Sequence, residues 1–534
     1  MHSDRPFLDA IREEPDDDLH RLAWADWLEE RGDDDRSTFV RAQLAAAQLD
    51  EIDLDLDAFE DRADDLLAVH ECQWAGRIAE VAPDWGWSRG CVESATLTAD
   101  TFLEEGKELF ETTPIRNLRL LTNEDDLPLV AQCAWLGYIE HLEINTQRIE
   151  SPIAAPYLRD QPLQRLLESP HLGRLRSLDL HGHGVEGPLI QTLIGTGLLS
   201  RLRRLDLSGN KSLGDRATRL LAEANAPKLE WLGLDGTNIT SAGVHSILFS
   251  KTQPALHGFD VNMGLLFRRG DFNSARLDRE LLRTPLAERL TSLKLRNLPL
   301  SSNALETLVL SPLAARLTEL SLVDTSLQGD QAGILATAEN LAALRRLDLG
   351  ANSLRDKGAR VLASSPHLTS LVCLGLSGNS IGGPGIRALL DSPILDRLRS
   401  LDLSGNFIGV PNVTALAKAN RPRLLCRLRL MNANLDAECA AILAESPAFA
   451  RLRSLALSGN RLGDEGVRAL ANSPHLSRLR SLELDSNGVD SAGAQALLDS
   501  FHLGSLRHLS SRNSSLSVGE REQLVARYGV TTRF

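Results

Sequence analysis

Leu452-Arg453-Ser454-Leu455-Ala456-Leu457-Ser458-Gly459-Asn460-Arg461-Leu462-Gly463-Asp464-Glu465-Gly466-Val467-Arg468-Ala469-Leu470-Ala471-Asn472-Ser473-Pro474 is the stretch on which the reading of this chain turns. Leu452, Leu455 and Leu457 form an LxxLxL frame. Its last two leucines have period 2, so they point to the same side of a short strand. Asn460 comes five residues after Leu455, at the turn out of the strand. Gly463–Leu470 reads as a helix with small residues at its close-packing points. Ser473-Pro474 ends it, because proline cannot continue a helix and restricts the residue before it.

The same frame recurs with its middle position at Leu178, Leu205, Leu232, Phe259, Leu293, Leu320, Leu347, Leu374, Leu401, Leu428, Leu455, Leu482 and Leu509. Successive positions are 27 residues apart, except for 34 between Phe259 and Leu293. Upstream, Ile139-Leu142-Ile144, Ile115-Leu118-Leu120 and Val92-Ala95-Leu97 keep the frame with looser spacing, giving 16 strand slots from about residue 90 onward. Asn fills the turn position at 210, 352, 379, 406, 460 and 487. There its amide can satisfy backbone groups, and stacked copies would form a ladder. Ser-Pro steps recur at Ser311, Ser365, Ser392, Ser446 and Ser473. A fixed period of this length is the mark of a solenoid. One unit cannot bury its own apolar face, so units stack, strands into a parallel sheet and helices behind it. Helices are wider than the strand spacing of about 4.8 Å, so the stack is expected to bend, with strands on the concave face and helices on the convex one.

The formal net charge of −14 is concentrated: residues 1–66 hold 22 acidic and 7 basic side chains, and the remainder is close to neutral. With no basic face read from the sequence to displace phosphate counterions, nucleic acid is not expected as a partner. The six cysteines include no CxxC pair, and the expectation is buried reduced thiols rather than a disulfide framework or a zinc site. The N-terminus lacks a basic stretch followed by an apolar run, and nothing approaches the roughly 18 consecutive apolar residues of a membrane span. These features lead to the expectation of a cytoplasmic monomer without a membrane partner.

On this frame, turn Asn and helix slot, the chain resembles the ribonuclease-inhibitor-like class of leucine-rich-repeat proteins over roughly four-fifths of its length. The resemblance implies an α/β horseshoe that works by binding protein. The N-terminal Pro6-Phe7-Leu8-Asp9-Ala10-Ile11, Pro15-Asp16-Asp17-Asp18, Arg21-Leu22-Ala23-Trp24-Ala25-Asp26-Trp27-Leu28-Glu29-Glu30-Arg31-Gly32-Asp33 and Phe39-Val40-Arg41-Ala42-Gln43-Leu44 resemble the bacterial repeat-companion domain. That resemblance implies bacterial origin and assigns no activity.

The expected organisation is a helical repeat-companion domain over 1–50, a helical connector and N-terminal cap over 51–90, the repeat array over 91–516 and a C-terminal cap over 517–534. Helices are expected near 6–13, from the Asp16–Asp18 cap to Gly32, and near 36–50. Glu51–Asp65 reads as a solvated loop leading into a helix, with a linker as the alternative. Trp74, Trp85 and Trp87 should seal the first repeat, and Val530–Phe534 should form a closing strand.

Positions flanking the inner leucines face the concave side. They supply the candidate partner-binding residues Asp179, His181, Asp206, Trp231, Asp235, Asp260, Arg296, Asp348, Asp402, Arg427, Arg429, Met431, Glu483 and Asp485. Two acidic zones flank a mixed centre, so a protein partner with a basic surface would be steered there. The bland counterpart is an exposed sheet kept soluble by charge. Trp231 and Met431 either anchor a partner or pack against their neighbours. His181-Gly182-His183 beside Asp179 and Asp206 is the most site-like group, yet His183 occupies the turn-Asn slot, and the spacing fits no zinc signature. The insertion around Phe267–Phe272 is either a binding loop or a decayed repeat. Neither a phosphate-binding glycine loop nor a nucleophile elbow, metalloprotease helix or kinase set is present. The expected function is a protein-binding scaffold with no cofactor and no catalytic role. A GTPase-activating or ubiquitin-ligase-like regulator is the alternative.

Overall fold

The computed structural model of the chain describes residues 4–49, 54–146, 160–262, 282, 284–419 and 424–528. The insertion around 267–272 and the strand expected over 530–534 lie outside the described residues. The chain divides into two compact units, one holding Met1–Leu266 with Thr284–Arg289 and the other holding Leu290–Phe534.

The first unit opens with helices α1 (Arg5–Glu13), α2 (Asp18–Glu29), α3 (Asp34–Gln48) and α4 (Leu54–Ala75). The Asp17 side chain accepts from Leu19 N and the Asp33 side chain from Arg36 N, so both acidic turns work as helix caps. Strands β1 (Asp84–Ser88), β2 (Cys91–Thr98), β3 (Asn117–Thr122), β4 (His141–Thr146), β5 (Ser177–Asp179), β6 (Arg204–Asp206), β7 (Trp231–Gly233) and β8 (Gly258–Asn262) follow. From β2 to β8 the strands pair parallel in chain order. Ala95, Leu118, Leu142, Leu178, Leu205, Leu232 and Phe259 stand side by side.

The second unit repeats the pattern in β9 (Ser292–Arg296), β10 (Glu319–Ser321), β11 (Arg346–Asp348), β12 (Cys373–Gly375), β13 (Ser400–Asp402), β14 (Arg427–Arg429), β15 (Ser454–Ala456), β16 (Ser481–Glu483) and β17 (His508–Ser510). Here Leu293, Leu320, Leu347, Leu374, Leu401, Leu428, Leu455, Leu482 and Leu509 align. Every frame position found in the sequence is therefore a register position. Each unit is an α/β leucine-rich-repeat solenoid, with helices such as Asp215–Glu223 and Gly463–Ala471 returning the chain behind the strands. The inward leucines are buried, Leu455 at 1% and Leu457 at 0% exposure, so the core of each unit is an aliphatic seam.

Polar ladders run along this seam. Asn406 Nδ2 donates to Leu376 O (2.8 Å) and Leu403 O (3.0 Å), while its Oδ1 accepts from Asn379 N (3.1 Å) and Ile381 N (2.9 Å). Asn210, Asn352, Asn379, Asn460 and Asn487 bond in the same manner. The amide offers two donors and an acceptor together on a short stem, one donor more than a hydroxyl. A second ladder lies at the helix ends. Ser365, Ser392 and Ser446 each donate Oγ–H to a carbonyl of the preceding repeat, Ala336, Ala363 and Ala417. The serine of the Ser-Pro step is thus a tie between repeats as well as part of a stop.

Two departures from the sequence reading stand out. Residues 54–65 are helical: they form the first half of α4, which packs on α3 through Ala63, Leu66 and Leu67 against Phe39 and Ala42. Alternating acid and apolar residues suggested a loop, and tertiary packing overrides that local pattern. Trp85 and Trp87 sit in a strand, β1, which runs antiparallel to β2. Trp74 and Trp87 pack on Phe39 of α3, in the core of the helical segment.

The helical segment is fastened to the repeats by charge. Arg21 is wholly buried, donates to Pro15 O at 2.8 Å and pairs with Glu93, which is itself 1% exposed. Glu93 also receives Arg116 Nε at 2.9 Å. Asp16 receives Arg116 at 2.9 Å and Arg176 at 3.0 Å, and these two guanidinium groups hold its carboxyl well below the usual carboxylate range. Glu93, Arg116, Glu140 and Arg176 occupy one position on four successive turns, the backbone N–H of each of the last three bonding the carbonyl of the one before it.

All six thiols are free. Cys91, Cys133 and Cys439 are buried as expected, but Cys72 is exposed and Cys373 and Cys426 are half-buried. Burial pushes the Cys91 and Cys439 thiols up to about 11. Alkylation of the native protein at pH 8, mapped by peptide mass, should therefore mark Cys72 first, with Cys91 and Cys439 reacting only after unfolding. Early labelling of Cys91 would mean that the contact between the helical segment and β2 opens readily. Among the described residues no helix is long and apolar enough to cross a membrane.

Candidate partner-binding faces

The residue after the middle leucine points out of the sheet on its open face. In the first unit, Glu143, Asp179 and Asp206 are direct neighbours at this position on β4, β5 and β6. Arg119 reaches Glu143 at 2.9 Å and Arg204 lies 3.8 Å from Asp206. Burial, with Asp206 and Glu143 close by, raises the Asp179 carboxyl above its ordinary value. A cleft of about 400 Å³ lies over these strands, lined among others by Asp84, Trp85, His141, Glu143, Asp179 and Arg204.

These acids have a second task. Asp179 Oδ1 accepts from His181 N (2.9 Å) and Asp206 Oδ1 from Ser208 N (3.0 Å). In the second unit, Asp348 caps Gly350 N (3.0 Å) and Asp402 caps Ser404 N (2.9 Å). The carboxylate closes the backbone as the chain leaves the strand. A sequence signal for this existed: each Asp stands two residues before a small or polar residue at the strand exit.

Trp231 is packed rather than projecting. Its indole spans Gly233 and Gly258, where an added Cβ would come within 2.4 Å of the ring, and the Arg204 guanidinium sits 3.4 Å from the ring centre. Asp260 is only 8% exposed and Asp235 is half-buried, so these two offer less surface than their column suggested. His181 is exposed, whereas His183 is buried and bonds Ile144 O through Nε2 at 2.8 Å, taking the place of the ladder Asn. Burial lowers its pKa. The two histidines therefore face apart. Among the described residues, the cluster able to hold a metal is Glu14, Asp17 and His20, which does not include them.

In the second unit Asp348 lies over Gly375, and burial raises its carboxyl, with Asp402 adding and Arg296 and Lys294 opposing. Arg429 Nε is 3.5 Å from Asp402, and its Nη2 is 3.5 Å from Met431 Sδ, so Met431 is half-buried under a guanidinium. Arg427 is exposed, Arg296 and Glu483 are half-buried, and Asp485 accepts from Arg512 N at 2.7 Å.

A further group is basic. Arg-Leu-Arg recurs at 174–176, 201–203, 397–399, 451–453 and 478–480, just before the strands. Net charge by segment hid it, because acids elsewhere in each repeat balance the sum. The premise that the chain has no basic surface is corrected: in the first unit these residues line a cleft at the strand-entry rim.

A leucine-rich-repeat family model matches residues 367–390, 452–471 and 475–498. Two solved structures are similar. One is a chain of the yeast Rad7 and Elc1 complex, at 14% identity and a TM-score of 0.43, covering 91% of this chain and 94% of that one. The other is an internalin (inlF) from Listeria monocytogenes, at 18% identity and a TM-score of 0.28, covering 69% and 88%. No curated protein matches the chain. The protein is built of leucine-rich repeats, a fold that generally serves protein–protein interaction.

Proposed function

We propose that this protein is a binding scaffold whose open strand face holds a protein partner presenting Lys or Arg. The observation that carries the reading is the row Glu143, Asp179 and Asp206 on adjacent strands of the first unit. Like charges directly opposite one another on a sheet destabilise it. A cation from a partner would relieve that repulsion and lower the raised Asp179 carboxyl. In the second unit, Asp348, Asp402, Arg427, Arg429, Met431 and Glu483 would form a mixed face that sets orientation more than affinity. The reading takes the chain as ribonuclease-inhibitor-like, supported by a 27-residue stride with a helix in most repeats. It also takes the protein as non-catalytic, cytoplasmic and monomeric.

The test is affinity capture from native lysate with wild type and with Asp179→Asn/Asp206→Asn. Asn keeps the backbone cap and removes the charge, so loss of captured proteins reports electrostatics and not folding. Recovery should fall about tenfold or more for those proteins and should weaken with salt in the wild type. Equal recovery by both proteins would discard the strand-face reading.

A further inference from the structure

We propose a second site, independent of the strand face: the rim cleft of the first unit binds an acidic segment of a protein partner. The cleft measures about 350 Å³ and brings together Arg174, Arg176, Arg201, Arg203 and Lys228 with Glu13 and Glu140. Most of the acid present is already engaged. Glu140 is buried and within 3.5 Å of Arg176 and 3.6 Å of Arg116. Arg203 is paired with Glu230 at 3.3 Å. Arg174 donates to the backbone carbonyl of Arg12 at 2.7 Å, which orients its guanidinium without neutralising it. Arg201 and Lys228 are exposed and make no ion pair among the described residues. Three cations therefore face the cleft against the single exposed carboxylate of Glu13.

Their spacing selects the ligand. Arg174, Arg201 and Lys228 each stand four residues before a middle leucine, at Leu178, Leu205 and Leu232, and those leucines are in register on neighbouring strands. Equivalent atoms on adjacent rungs are about 4.8 Å apart, so the three cations span roughly 10 Å. That is too long for one oxyanion. Two carboxylates at alternate positions of an extended chain, roughly 7 Å apart, fit within that span, each accepting from a guanidinium or ammonium group. Glu13 and Pro15, from the helical segment, form the opposite wall, so the cleft requires that segment to be docked.

The experiment uses the full-length protein and a fluorescein-labelled hexa-aspartate peptide, read by anisotropy. Wild type should bind it, with affinity falling as salt rises. Arg201→Glu/Lys228→Glu should weaken binding at least about tenfold, while Asp179→Asn/Asp206→Asn should leave it unchanged. An unchanged affinity in the rim variant, or an equal loss in Arg451→Glu/Arg478→Glu of the second unit, would overturn the proposal. Circular dichroism of each variant separates loss of the cleft from loss of fold. Displacement of the peptide by inorganic phosphate at equal charge would reassign the cleft to a free oxyanion. Tighter binding of single-stranded RNA of equal charge would overturn it in favour of nucleic acid.

Discussion

Glu93→Leu should destabilise the first unit by about 3–5 kcal/mol, the largest single effect expected in that unit. The substitution leaves Arg21 buried with only Pro15 O for a partner. It also removes one of the acids that hold Arg116. The reverse change, Arg21→Met, should cost less, because Glu93 keeps Arg116 at 2.9 Å. The double variant should recover much of the loss, since an apolar pair of similar volume can replace a buried ion pair at little cost. All seven tryptophans, from Trp24 to Trp231, lie in the first unit, so urea unfolding followed by tryptophan fluorescence reports this unit alone. A midpoint for Glu93→Leu within error of wild type would show that the helical segment contributes nothing to the stability of the repeats.

The second large effect belongs to the other unit and will be silent to tryptophan. Asn406→Ala takes the partner from one carbonyl, Leu403, and two amides, Asn379 and Ile381, in a buried place, while Leu376 O keeps Asn379 Nδ2 at 3.2 Å. Each stranded group costs about 1–3 kcal/mol, and local relaxation recovers part, so a net loss of about 2–5 kcal/mol is expected. Hydrogen exchange should show Asn379 and Ile381 amides losing protection before the rest of the unit. Asn406→Thr should be milder, because Thr325 and Thr237 fill the same slot and bond the carbonyl three residues back. Equal protection in Asn406→Ala and wild type would mean that the ladder is replaceable.

The fold was legible because its determinants are local and repeated. Leu178, Leu205 and Leu232 declare their register simply by standing 27 residues apart, and each turn Asn works within its own rung and the one before. The site was less legible, for reasons specific to particular residues. Asp179 and Asp206 looked like free surface charge, and half of each carboxylate is spent on backbone. Trp231 looked like an anchor until Gly258 and Arg204, distant in sequence, proved to cradle it. Arg21 gave no sign of burial, since a charged residue goes inside only when its acid waits there, 72 positions away. The helix at 54–65 followed the same rule: α3, not composition, decides it.

Strand β1 carries one last implication. A stack of identical rungs presents at its end an edge like every internal one, and a neighbouring molecule could dock there and keep growing. β1 breaks that likeness: it reverses direction, follows Pro83, begins with a charged residue at Asp84 and slips register between Gly86 and Trp87. Irregularity of this kind is how proteins stop filaments from propagating through open strands.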